Sequence, residues 1–204
     1  MSFLYLFDLI GTYAFTVSGA LVGAKKKMDI YGMFVLALVT GVGGGTVRDM
    51  MLGRTPPFVF KDIWYLVDIF IATLTVVFLY QKVMKSMKVL NIADAIGLGV
   101  FTCIGATIAK DCGCSWYGII LFGLMTATVG GMIRDVLAQE VPFVLRKEIY
   151  ASASIIGGFL FILLDYLKIN IDINIFITSV FVTLVRIISI YKSWNLPKLF
   201  IRAK

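Results

Sequence analysis

The chain has 204 residues, 60% hydrophobic and 15% charged, with a mean hydropathy of +0.95, whereas a soluble domain carries about 25% charged residues. A water-soluble fold of this length could not hide so much apolar surface, so its surroundings must be a lipid bilayer, and one domain suffices. The net charge of +7 falls as punctuation between apolar runs, which is the pattern of basic residues flanking membrane spans and not of a nucleic-acid face.

A span needs about 20 mostly apolar residues. Seven such stretches are predicted, at 3–23, 31–52, 63–81, 91–109, 116–138, 149–167 and 173–191. The first follows no basic n-region or small-residue cleavage site and is expected to stay in the protein. The breaks between spans carry turn residues and charge: KKKMD at 25–29, RTPPFVFKD at 54–62, QKVMKSMK at 81–88, KDCGCS at 110–115 and QEVPFVLRKE at 139–148. Linkers this short make consecutive helices neighbours. Twelve Lys and Arg residues fall in the loops and tail of one side and four on the other, so the first side is predicted cytoplasmic, with the N-terminus outside and the C-terminus inside.

The chain repeats itself at an offset of 86 residues. GGTVRDM at 44–50 answers GGMIRDV at 130–136, and Asp8, Gly11, Gly19, Gly32 and Thr40 answer Asp94, Gly97, Gly105, Gly118 and Thr126. Carried on without gaps, Pro56 meets Pro142 and Lys61 meets Lys147. Each copy holds three spans. An odd number makes the second copy enter the membrane from the opposite face, which is the inverted-repeat design of many transport proteins. The expected fold is therefore an all-α membrane protein of seven transmembrane helices: residues 1–86 as one three-helix repeat, 87–172 as its inverted partner, and 173–204 as a seventh helix with a basic tail. The seventh helix is expected to pack outside, at an interface.

Glycines and charges lie where a plain membrane helix would carry neither. Glycine weakens a helix by about 1 kcal/mol, and a charge near mid-membrane costs about 2.5–3.5 kcal/mol on the insertion scale. Gly43, Gly44 and Gly45 in the second span, and Gly130 and Gly131 in the fifth, fit two uses: close helix approach, or a bend that unwinds the backbone. An unwound pair meeting at mid-membrane would point carbonyls inward and favour a transient cation near Gly44 and Gly130.

Adjacent residues on a helix point apart, so Arg48 is expected to find its partner in Asp8 and not in Asp49; inverted symmetry then pairs Arg134 with Asp94. Asp49 and Asp135 are left for solvent, a pore or a cation. These six residues carry two net negative charges and either gate a path or only lock the repeats together. Thr12, Ser18, Thr40, Thr102, Thr107 and Thr126 either line a polar path or bond back to their own helices, with Thr40 and Thr126 the favoured lining pair. Arg186, in the seventh span, has no partner by repeat logic.

No histidine is present. Cys103, Cys112 and Cys114 lack the further ligands of a zinc site and read as unpaired thiols. No nucleophile has an evident base, so neither an enzyme nor a bound cofactor is expected.

The segments GVGGGTVRDMMLGRTPPFVF and TATVGGMIRDVLAQEVPFVL, in a seven-span chain of this length, resemble prokaryotic members of the trimeric intracellular cation channel (TRIC) family, a group also labelled as glycine transporters. The resemblance covers almost the whole chain. It implies a homotrimer in the prokaryotic plasma membrane. Each protomer would hold a pore between its repeats, kinked at Gly43–Gly45 and Gly130–Gly131 and carrying monovalent cations, potassium foremost and sodium besides. The lysine-containing lipid motif of animal members is replaced here by TVRDMM. Chain and resemblance leave two functions open: a potassium-permeable channel, or a carrier for a small zwitterion such as glycine, since inverted repeats suit alternating access equally.

Overall fold

The structure, a computed structural model, describes residues 3–81, 87–146 and 149–192. It is all-helical: α1 (Phe3–Lys25), α2 (Ile30–Met51), α3 (Trp64–Leu79), α4 (Met87–Asp111), α5 (Trp116–Leu137), α6 (Phe143–Arg146), α7 (Ala151–Tyr166) and α8 (Ile171–Tyr191), with a 3₁₀ turn at Phe58–Phe60. Of the predicted basic residues, Lys82, Lys85, Lys147, Lys198, Arg202 and Lys204 lie outside the described residues, as does the tail from 193.

Five helices, α1, α2, α4, α5 and α8, are long and apolar enough to cross a membrane. The predicted spans 63–81 and 149–167 become α3 and α7, of 16 residues each. α3 begins one residue late, after the 3₁₀ turn, and ends two residues early, while α7 begins two residues late, after the four-residue α6, and ends one early. The helix ends follow local chemistry. Asp29 caps α2 by accepting from the backbone N–H of Gly32 at 2.7 Å, and Asn170 caps α8 through the N–H of Asp172 at 2.9 Å.

The 86-residue repeat reappears in the backbone. α1 ends with Lys27 at φ 59° and α4 with Gly113 at φ 76°; α2 ends with Gly53 at φ 69° and α5 with Gln139 at φ 55°. The bonds around them match as well: Arg54 donates to the Asp49 carbonyl and Glu140 to the Asp135 carbonyl, each at 2.8 Å. These are left-handed C-terminal caps, which satisfy the last helical carbonyls.

α1 and α4 are the most enclosed helices, 72% and 89% buried along their most apolar stretches, against 44% and 39% for α2 and α5. Contacts between the repeats are reciprocal. Gly11 of α1 lies against Val100 and Phe101 of α4, while Gly97 of α4 lies against Phe15 of α1, and the rings of Phe15 and Phe101 meet edge-on at 5.2 Å. Within each repeat, Gly19 lets α1 approach Thr40 of α2 as Gly105 lets α4 approach Thr126 of α5.

α8 packs on α4 and α7 through a stripe that is more polar than a seventh apolar span suggests. Asn174 donates to the Phe161 carbonyl at 3.0 Å, Thr183 donates to the Ala95 carbonyl at 3.3 Å, and Gly99 of α4 makes room for Ser179. Its opposite face leaves Phe176, Leu184 and Ile188 exposed.

Candidate functional site

α2 and α5 cross at their glycines. A Cβ on Gly44 would collide with the carbonyl oxygen of Thr126, and one on Gly130 with the carbonyl oxygen of Thr40. Only glycine permits this approach, with Cα–H groups lying on the facing carbonyls. The later residue of each helix meets the earlier residue of the other, so the two run antiparallel here. The expected unwinding does not occur. Both helices are continuous α-helix through Gly43–Gly45 and Gly130–Gly131, because the glycines serve contact while the backbone ladder stays closed. No inward-pointing set of freed carbonyls exists at this point, and the cation site expected from one loses its basis.

One turn beyond each glycine lies a buried arginine, so the antiparallel crossing puts the two arginines on opposite sides of it. In the first cluster, Arg48 (2% exposed) places Nε and Nη2 on Asp49 Oδ1, at 2.9 and 2.8 Å. Asp49 Oδ2 accepts the backbone N–H of Phe58 at 3.0 Å, and the Phe58 ring lies under the guanidinium at 5.6 Å. In the second, Arg134 donates from Nε to Asp135 Oδ1 at 2.8 Å and from Nη1 to Asp94 Oδ1 at 2.7 Å and to the Ser18 hydroxyl. Asp135 Oδ2 accepts the N–H of Phe143 at 2.8 Å, and Arg134 stands 5.1 Å over the Phe143 ring.

Two expectations are corrected by this geometry. Arg48 does pair with its neighbour Asp49, because a long arginine side chain curls back where a short one could not. Asp8 instead accepts from the Tyr65 hydroxyl at 2.8 Å. Nor are Asp49 and Asp135 left for solvent. Both are buried, each shared between an arginine and the backbone of the segment entering the next helix. The expected Asp94–Arg134 pair is present. Buried pairs of this kind satisfy charge at membrane depth through charge-assisted hydrogen bonds.

Tyr65 and Tyr150 belong to the site and were missed. Tyr65 donates to Asp8, and Tyr150 is an electrostatic neighbour of Asp94. The signal was in the chain. After residue 54 the repeat slips from an offset of 86 to 85, so that Pro57, Phe58 and Tyr65 answer Pro142, Phe143 and Tyr150. The gapless extension that paired Pro56 with Pro142 and Lys61 with Lys147 runs one residue too far.

Most hydroxyls have the local fate. Thr40 donates to the Leu36 carbonyl and Thr126 to the Phe122 carbonyl, both at 2.6 Å, and Thr102 and Thr107 also bond back four residues. Thr12 and Thr16 differ: both are fully buried and, among the described residues, their hydroxyls have no partner. Thr16 lies against Gly41 of α2. Arg186 on α8 donates to the Ile149 carbonyl at 3.1 Å and lies 4.9 Å from the centre of the Tyr150 ring.

A helical membrane protein whose paired buried Arg–Asp clusters flank a glycine crossing has the build of a membrane transport protein. The chain belongs to the glycine transporter family, whose model matches residues 5–81 and 91–166. It is 49% identical over 158 residues to the UPF0126 membrane protein of Vibrio cholerae, covering 77% of this chain and 66% of that one. It is 43% identical over 155 residues to the inner membrane protein YadS of Escherichia coli, covering 76% and 75%. To YvgT of Bacillus subtilis it is 34% identical over 194 residues, 94% of each chain. Among solved structures it is similar to the trimeric intracellular cation channel orthologue of Rhodobacter sphaeroides, with a TM-score of 0.90, 35% identity, and coverage of 95% of this chain and 100% of that one. A prokaryotic TRIC channel in 0.5 M KCl gives 0.86 and 36%, with coverage of 95% and 98%. The Caenorhabditis elegans channel, at 14% identity and 0.61, shares the fold.

Proposed function

We propose that this chain is a monovalent cation channel of the TRIC type, permeable to potassium and, less selectively, to sodium. It works as a homotrimer in the prokaryotic plasma membrane with a pore inside each protomer. The observation that carries the reading is the whole-chain similarity to prokaryotic cation channels at a TM-score of 0.90 and 35% identity. No TVGYG-like filter occurs in the sequence, which fits weak discrimination between the two ions.

In this reading the reciprocal contacts Gly11–Phe101 with Gly97–Phe15, and Gly44–Thr126 with Gly130–Thr40, express a two-fold pseudo-axis in the membrane plane, relating residues 1–86 to 87–172. The positive-inside bias puts the Arg48 cluster at the outer mouth and the Arg134 cluster at the inner mouth. The glycine crossing is the constriction. Bending of α2 at Gly43–Gly45 and of α5 at Gly130–Gly131 parts the helices, and the unpartnered hydroxyls of Thr12 and Thr16 supply a seam that water can wet. Asp8, Asp49, Asp94 and Asp135 keep the path attractive to cations, while Arg48 and Arg134 act as gates that must swing aside.

The second reading, a carrier for a small zwitterion such as glycine, is favoured by the description of the matching family. Reconstitution into liposomes separates the two. A channel gives unitary potassium currents far above carrier turnover and no saturable uptake of labelled glycine. Saturable glycine uptake without such currents overturns the proposal.

A further inference from the structure

α8 has no counterpart in either repeat, and Arg186 is its buried charge, 4% exposed. No carboxylate lies within ion-pairing distance of it among the described residues. Its guanidinium is held by the Ile149 carbonyl and the face of Tyr150. Tyr150 is an electrostatic neighbour of Asp94, and Asp94 pairs with Arg134. One aromatic ring therefore separates Arg186 from the second charge cluster. Among the described residues no cation lies on the matching ring of the first cluster: Tyr65 is met there by Phe58 at 4.5 Å and Tyr5 at 5.9 Å, and the nearby cation Arg54 is offset by the carboxylate of Asp62, which accepts from Tyr5. Asp8, Arg48 and Asp49 thus carry one net negative charge at one end, while Asp94, Arg134 and Asp135 carry the same charge with a second cation, Arg186, beside them.

We propose that Arg186 makes conduction directional: its guanidinium behind Tyr150 neutralises the inner cluster and leaves the outer one net negative, so cations enter more readily from outside. The inference rests on the channel reading and its orientation. At the dielectric constant of water, a unit charge about 8 Å from a cation changes the local concentration of that cation about two-fold. Arginine suits the place because it stacks on the ring and donates to a carbonyl while remaining charged.

The test is single-channel recording of the purified full chain in planar bilayers with symmetric KCl at low ionic strength. The readout is the ratio of currents at equal and opposite voltages. The wild-type ratio is expected to be about two, to fall toward one in Arg186→Gln and Arg186→Met, and to survive in Arg186→Lys, which keeps the charge. Raising KCl ten-fold should compress the wild-type ratio by screening, which a purely structural role for Arg186 would not produce. Potassium currents with a wild-type ratio of one, or a ratio unchanged in Arg186→Gln, overturn this inference and leave the channel reading standing. Absence of any potassium current overturns both. If the neutral variants do not assemble, the salt dependence decides, and a wild-type ratio insensitive to KCl counts against the proposal.

Discussion

Gly44 and Gly130 meet backbone to backbone: a Cβ placed on either would stand 3.5–3.6 Å from the amide nitrogen of the other and inside van der Waals contact of the facing threonine carbonyl. The crossing of α2 and α5 is therefore set by the absence of two methyl groups. Apolar side chains cannot substitute for it, because lipid competes equally well for them.

Gly44→Ala and Gly130→Ala should each destabilise the protein by about 1–3 kcal/mol through overpacking at the crossing. Because the two sites share one contact, the double variant should cost less than the sum of the singles. Thermal unfolding in detergent, run as a double-mutant cycle, measures this. Strict additivity would mean that the two glycines do not bear on each other.

The two repeat carboxylates should differ in weight. Asp94→Asn removes a partner from Arg134 in a fully buried pair and should cost about 3–5 kcal/mol. Asp8→Asn keeps a carbonyl acceptor for the Tyr65 hydroxyl and removes only the charge of that bond, so it should cost about 1 kcal/mol. Equal losses in unfolding midpoint would mean that Arg48 relies on Asp8 as much as Arg134 relies on Asp94.

Tyr65→Phe and Tyr150→Phe keep their rings and each delete a hydroxyl beside a buried carboxylate, so each should lose about 1–3 kcal/mol. The same unfolding assay reads both. No change in either variant would take the tyrosines out of the charge clusters.

Thr12→Val and Thr16→Val delete hydroxyls that have no partner among the described residues, so stability should hold or rise. Potassium flux per assembled protein should fall, because the wetted seam is lost. Thr40→Val, which breaks a local bond at 2.6 Å, should instead lose about 0.5–1.5 kcal/mol. Unchanged flux in a Thr12→Val/Thr16→Val double variant would place the ion path elsewhere.

Which features were legible in the chain follows from their range. Composition and the spacing of charge determined a membrane-embedded helical protein, since 60% apolar residues leave no other solvent. The offset of 86 residues marked out the glycines that face each other and the carboxylates and arginines that are buried, because the same residue types recur at matching positions; it paired Arg134 with Asp94 but failed for Arg48 and Asp8. The tertiary structure decided what depends on reach and competition. Arg48 turned to Asp49 because the segment at Phe58 folds under its guanidinium, and α2 and α5 stayed helical because close packing took up the glycines before any bend was needed. Tyr65 and Tyr150 became neighbours of Asp8 and Asp94 only once a one-residue slip in the repeat was absorbed by the turn before α3. Arg186 came to lie behind Tyr150 through the docking of α8 on α4 and α7, a contact between distant segments that no local pattern encodes.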